Sequence, residues 1–192
     1  MKYETKELSP ETWPDFERLF APGTGWAFCA CMLYQRGCHL ETAKFPKRQL
    51  ARIQNLAEKR ALVDTGQAHG ILVYEAAQPV GWCQYGPAEE LPIPGEVRRD
   101  RRVPPLGAGV RWRITCFVTV VRRRRRGVAG AALRAALDAI QAQGGGRVEA
   151  YPTLTPQNGN WTHAGTVSLF ERQGFKVVGR PNAPYVVVQR DV

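Results

Sequence analysis

Two stretches of this chain carry residue types that could do chemistry. The first is VRRRRRGVAGAAL, residues 121–133, where five arginines in a row (122–126) run into Gly127, Val128, Ala129 and Gly130. A strand that enters a glycine turn and then a helix leaves the first helical N–H groups unpaired and aimed at one spot. The helix dipole adds partial positive charge there, and a pyrophosphate fits such a site. Gly127 lets an anion approach the backbone, and Ala129 and Gly130 keep its path clear. Arg124, Arg125 and Arg126 add charge-assisted bonds for further phosphates. The turn is neither the dinucleotide fingerprint G-x-G-x-x-G nor a Walker loop, which needs G-K-[ST]. The second stretch holds Cys29, Cys31, Cys38 and His39. Its C-x-C spacing is tighter than that of structural zinc sites, and no second knuckle follows. Buried or free thiols are therefore expected, and no metal.

The charge is concentrated. Residues 97–126 hold eleven arginines and a single acid, Asp100, so this window carries the whole formal charge of +10. Such a local field calls for an anionic partner: phosphate groups, nucleic acid or an acidic substrate. The arginines at 98–102 read more simply as a solvated face. Five cysteines, an odd count, argue against a disulfide framework. No apolar run approaches the ~20 residues that span a bilayer. The opening MKYETKELSPETW lacks the apolar core of a signal peptide, so a cytoplasmic protein with no membrane partner is expected.

These residues need elements to position them. A short strand is expected at 3–8 and a helix at 9–20 with Ser9 as its cap. Residues 21–45 read as a loop with short helical turns. A helix follows at 47–66, with Leu50, Ile53, Leu56, Ala57 and Leu62 at near-helical spacing. GILVYEA and PVGWCQYG read as a hairpin turning near Gln78. The Pro-, Gly- and charge-rich 87–109 reads as an exposed connection, and 110–121 as a long strand. The helix after Gly127 stops at the glycines 144–146. RVEAYP is a strand, GTVSLFERQ a helix, and FKVVGR and PYVVVQR a last strand pair. The expectation is a single domain over 1–192, an α/β fold with a mixed, mostly antiparallel sheet of about seven strands and helices on both faces.

The sequence Arg124-Arg125-Arg126-Gly127-Val128-Ala129 resembles the R/Q-x-x-G-x-G/A signature of the GNAT superfamily of N-acetyltransferases, and ERQGF, residues 171–175, resembles that family's closing Y-E-x-x-G-F. The element order agrees over nearly the whole chain. The resemblance implies acetyl-CoA as co-substrate, its pyrophosphate on the amides of 124–130. It implies a strand splayed at a bulge, whose Phe117, Val118 and Thr119 bond the pantetheine arm through their backbone. It also implies an amine acceptor, small molecule or peptide, entering under the loop at 21–45.

The implied reaction is direct attack of a neutral amine on the thioester, with a proton lost from the ammonium and another given to the leaving thiolate. Here the sequence departs from the family. Phe170 stands where a tyrosine is frequent, and His163 where an asparagine is frequent. Substitutes for the missing acid are Glu149, Tyr151, His163 and Cys116. Glu149 and Tyr151, two apart on one strand, share a face. Glu149 would take the ammonium proton and Tyr151 would donate to the departing sulfur. Three other readings stay open. One is a nucleic-acid-binding protein, less favoured because no aromatics interleave the arginines. Another is an acetyltransferase of aminoacyl-tRNA, and the third a CoA-binding protein without catalysis. A homodimer is compatible with all of them.

Overall fold

The computed structural model describes residues 3–22, 27–36, 48–92, 109–154, 162–180 and 185–192. In chain order the elements are β1 (Glu4–Glu7), α1 (Trp13–Leu19), α2 (Met32–Arg36), α3 (Arg48–Asp64), β2 (Gly70–Glu75) and β3 (Gln78–Pro87). After them come β4 (Val110–Thr119), a 3₁₀ turn (Val121–Arg123), α4 (Val128–Ala142) and β5 (Arg147–Ala150). A second 3₁₀ turn (Thr162–Ala164), α5 (Val167–Glu171), β6 (Lys176–Gly179) and β7 (Val187–Asp191) complete the order.

The strands form one seven-stranded sheet in the order β1-β2-β3-β4-β5-β7-β6. Every neighbouring pair is antiparallel except β4 and β5, which run parallel. A parallel pair needs a crossover, and α4 is that crossover. Helices cover both faces. On one, α4 buries Val128, Ala132, Leu133, Ala136 and Ile140 against Ile71, Cys83, Trp112, Ile114 and Val148. On the other, α1 and α3 bury Trp13, Phe16, Leu56 and Val63 against Leu72, Tyr74 and Trp82. With both faces covered, β2 and β3 are buried nearly throughout, and their sequences read as apolar runs rather than as alternation. Among the described residues, no helix is long and apolar enough to cross a membrane.

Three expectations are corrected. Helix α1 starts at Trp13, not at Ser9. Ser9 and Thr12 instead close a turn on each other. The Thr12 hydroxyl accepts from the Ser9 N–H at 2.8 Å and donates to the Glu7 carbonyl at 2.9 Å. The inner face of α3 is also different: Leu50 and Ile53 are each 56% exposed, while Ala51, Asn55, Leu56, Lys59 and Val63 are buried. The polar pair turns inward because the segment 27–36 supplies acceptors. Asn55 Nδ2 donates to the Phe28 carbonyl at 2.6 Å, and Lys59 Nζ donates to Gln35 Oε1 and, at 3.5 Å, to the Cys31 carbonyl. The hairpin turns one residue earlier than expected, on Ala76 and Ala77, both at positive φ, the backbone that two-residue hairpin turns require and usually give to Asn or Gly.

Candidate active site

The site begins with one extra residue in β4. Gln84 of β3 is opposite Cys116, yet the next residue, Tyr85, is opposite Ile114, so Thr115 is a bulge. At the same point β4 parts from β5: their pairing runs from Val110–Arg147 to Ile114–Ala150 and ends there, while β3 follows β4 out to Thr119. A wedge therefore opens between the C-terminal halves of β4 and β5. Val120 donates to the Val80 carbonyl at 3.0 Å. By antiparallel alternation Val118 and Cys116 also bond toward β3, so Phe117 and Thr119 turn their N–H and C=O groups to the wedge. Beyond β5, Thr153 pairs with Tyr185 on one side and with Thr166 on the other, and its N–H donates to the Gly165 carbonyl at 3.2 Å. That places the segment 163–166 on the β4 side of Thr153, and the turn carrying His163 packs beside β4.

The arginine–glycine turn lies where β4 ends. Gly127 has φ +87° and precedes α4 with no side chain capping the helix. Arg125 also has positive φ, 58°. The first helical bond is Ala131 N–H to the Gly127 carbonyl at 2.9 Å, which leaves the N–H groups of Val128, Ala129 and Gly130 outside the helical ladder. A Cβ at Gly127 would meet no atom of the described residues within 4 Å, its chain neighbours aside, so the space in front of the turn is open among them. The turn is held from behind. The Tyr3 hydroxyl donates to the Arg126 carbonyl at 3.0 Å, and Arg123 pairs with Glu75. Gly81 of β3 lets the helix start sit this close, since a Cβ there would lie 2.2 Å from Val128 Cγ1. Arg122, Arg124, Arg125 and Arg126 are exposed.

Glu149 and Tyr151 are brought together as expected from their spacing. Glu149 is 1% exposed. Its Oε1 accepts from the Tyr151 hydroxyl and its Oε2 from Gln189 Nε2 at 2.7 Å. Arg113 Nε lies 3.7 Å from Oε1, and Arg113 Nη1 donates to the Ala88 and Leu91 carbonyls. Burial, then the Glu149 carboxylate, pushes the Tyr151 phenol far above its ordinary range. In this arrangement the phenolic proton is engaged by Glu149. Tyr185 stacks edge-on to Tyr151 at 6.4 Å. Two buried donors on the same face, Gln84 Nε2 and Arg113 Nε, have no hydrogen-bond acceptor among the described residues. Orphans of that kind are unusual in cores and cluster at functional sites.

Phe170 is fully buried. Its ring meets Phe117 at 5.9 Å and Phe175 at 5.0 Å, so a packed aromatic stands at the tyrosine position of the resemblance. On the opposite face, behind the bulge, Cys31 Sγ and Cys116 Sγ are 3.1 Å apart. Lys59 is beside them, fully buried. Burial brings its pKa down to about 8, against the opposing pull of the thiols. Sequence reasoning missed Lys59, Arg113, Gln84 and Gln189. A charge set inside an apolar strand, the second arginine of RWRITCF, was the available signal for Arg113. Cys38 and His39 lie outside the described residues. Among the described ones no three His, Cys, Asp or Glu side chains gather as a metal site.

The Lys59 shift predicts a pH signature. Below about pH 8 the folded chain carries the cost of a buried ammonium. As pH rises from there toward the ordinary lysine value of about 10.4, the folded chain has shed a proton that the unfolded chain keeps, so the Lys59 contribution to stability increases with pH. Lys59→Met removes the buried ammonium and also its hydrogen bonds to Gln35 and the Cys31 carbonyl, so the test is the pH dependence of the difference. The stability of the variant relative to wild type should fall by roughly 2–3 kcal/mol between pH 7 and 10, read from urea midpoints. A difference equal at both ends of that window would rule the assignment out.

The sheet order, the single parallel pair and the wedge at a bulged β4 are the architecture of the GNAT acetyltransferases, and solved structures agree. A GCN5-related N-acetyltransferase from Kribbella flavida superposes with a TM-score of 0.56 at 16% identity, covering 99% of this chain and 98% of that one. The PaiA N-acetyltransferase from Thermoplasma acidophilum, solved with coenzyme A, gives 0.53 at 12% over 100% of both chains. An acetyltransferase from Thermus thermophilus gives 0.53 at 14%, covering 100% and 98%. No protein-family model matches the sequence, and no curated protein matches it either. The chain has the GNAT fold; the resemblance carried by the arginine–glycine turn is borne out at that level.

Proposed function

We propose that this protein is an N-acetyltransferase that moves an acetyl group from acetyl-CoA to a primary amine by direct attack. The observation that carries the reading is the uncapped start of α4, open in front of Gly127, at the end of the strand whose edge faces the wedge. The amides of 124–130 would hold the pyrophosphate, helped by the exposed arginines. The backbone groups of Phe117 and Thr119, flanking Val118, would hold the pantetheine arm. The coenzyme A bound by the Thermoplasma protein of the same fold supports this ligand.

In the transfer, the amine nitrogen bonds to the thioester carbonyl carbon and the carbon–sulfur bond breaks. Tyr151 is the outer member of its pair with Glu149. It would accept the ammonium proton while passing its own to Glu149, so the phenol never ionises. His163, on the turn beside β4, would protonate the departing thiolate. The acceptor would be a small molecule or a peptide amine, and the chain a cytoplasmic, one-domain enzyme that needs no metal. The exposed arginines of the turn favour one alternative, a nucleic-acid binder. A thiol-release screen with acetyl-CoA across a panel of amines separates the two readings. Turnover on an amine supports the transferase. Oligonucleotide binding with steep salt dependence and no thiol release supports the alternative.

A further inference from the structure

We propose that Cys31 and Cys116 form an oxidisable dithiol, closed to a disulfide by hydrogen peroxide and reopened by a thiol reductant. The two sulfurs lie 3.1 Å apart although their residues are separated by 85 positions in sequence. A disulfide bond is about 2.05 Å long, so closure needs a movement of only about 1 Å. Both side chains are buried, and the transfer reaction above uses neither thiol.

The surroundings make one thiol the nucleophile and the other the resolving partner. Burial pushes Cys31 upward, but the hydrogen bond with Cys116 and the charge of Lys59 outweigh it and leave Cys31 below the ordinary thiol range. Cys116 is raised, by that same hydrogen bond and by burial. The neighbouring Cys29 is pushed up to about 11 by burial and the charge of Cys31, and burial holds Cys83 well above its ordinary value. Thiolates, not thiols, attack, so Cys31 is the thiol selected.

The chemistry balances with one peroxide. The Cys31 thiolate attacks a peroxide oxygen and the O–O bond breaks. The hydroxide released takes up the proton that Cys31 lost, giving water and a sulfenic acid. The Cys116 sulfur then attacks the sulfenic sulfur. The S–O bond breaks, and the hydroxyl leaves with the Cys116 proton as a second water. The bond formed would tie the segment 27–36 to the half of β4 that borders the wedge.

The test is a peptide map of the whole protein after equimolar peroxide, with the remaining thiols alkylated under denaturing conditions before trypsin. The expected product joins the peptide 19–36 to the peptide 114–122, two hydrogens lighter than their sum, and disappears on reduction. Peptide 19–36 carries Cys29 as well as Cys31, so the map is repeated on Cys29→Ser, which should retain the link, and on Cys31→Ser, which should lose it. Cys83 should remain alkylatable throughout, and Lys59→Met should slow closure. A link within 19–36, or Cys31 driven to sulfinic acid while Cys116 is alkylated, would overturn the proposal. Fragmentation of the linked wild-type product between Cys29 and Cys31 places the bond on one sulfur or the other, so a variant that fails to fold does not weaken the test.

Discussion

Gly127→Glu should abolish the rise in melting temperature that acetyl-CoA gives the wild-type chain. Ligand at about 100 times its Kd stabilises the folded state by ~2.7 kcal/mol, and this is the shift expected to vanish. Two effects act at the position and can be separated. Gly127 sits at φ +87°, so any side chain strains the turn and lowers the unliganded melting point. A Cβ there meets no atom of the described residues within 4 Å, its chain neighbours aside, so a side chain projects into the open space, and the control must separate its charge from the strain on the turn. Gly127→Asn is the control, because asparagine tolerates positive φ better than other side chains and carries no charge. It should keep a reduced shift where Glu keeps none. A full shift in the Glu variant would remove the pyrophosphate from this turn.

Glu149→Gln should lower kcat by ~10²–10⁴-fold, the usual contribution of a positioned acid or base. The KM for acetyl-CoA should change little. Tyr151→Phe breaks the hydrogen bond to Glu149 and should cost at least about tenfold in kcat. Both variants need a stability control, since Glu149 is the carboxylate nearest the buried Arg113. Breaking a buried pair by removing one partner costs roughly 3–5 kcal/mol. Rates are therefore compared where circular dichroism shows each variant folded. Phe170→Tyr should bring no gain in rate, because its ring is packed between Phe117 and Phe175. Near wild-type rates in both strand variants would take the ammonium proton's path away from β5, and collapse in Cys116→Ala would move it to the other side of the wedge.

The elements were legible wherever one physical rule decided them. Apolar runs gave the central strands, the glycines at 144–146 ended α4, and the arginine–glycine turn marked its uncapped start. The same-face relation of Glu149 and Tyr151 followed from strand alternation and is realised as a hydrogen bond. What could not be read is set by contacts between distant segments. The inner face of α3 carries Asn55 and Lys59 because the 27–36 segment presents carbonyls and Gln35 to them. Hydropathy alone turned Leu50 and Ile53 inward instead. Arg113 meets Glu149 only through the register of the parallel pair, and Cys31 meets Cys116 across 85 residues. Neither has a local signature.

The extra residue at Thr115 gives β4 two reading frames. Up to Ile114 the even-numbered side chains, Trp112 and Ile114, belong to the layer under α4. From Cys116 onward the parity reverses: Phe117 joins that layer, while Cys116 and Val118 join the one under α1 and α3. Flattening the bulge with Thr115 still in the chain would put the strand back into one frame. Phe117 would be carried away from Phe170 and into the space of Trp82, and Cys116 would leave Cys31. The backbone groups now open to the wedge would be turned back toward β3. Deletion of Thr115 would instead leave Cys116 and Phe117 on the faces they hold now. Flattening would thus act on β4 as a frameshift acts on a message, with every side chain downstream intact and each delivered to the wrong face.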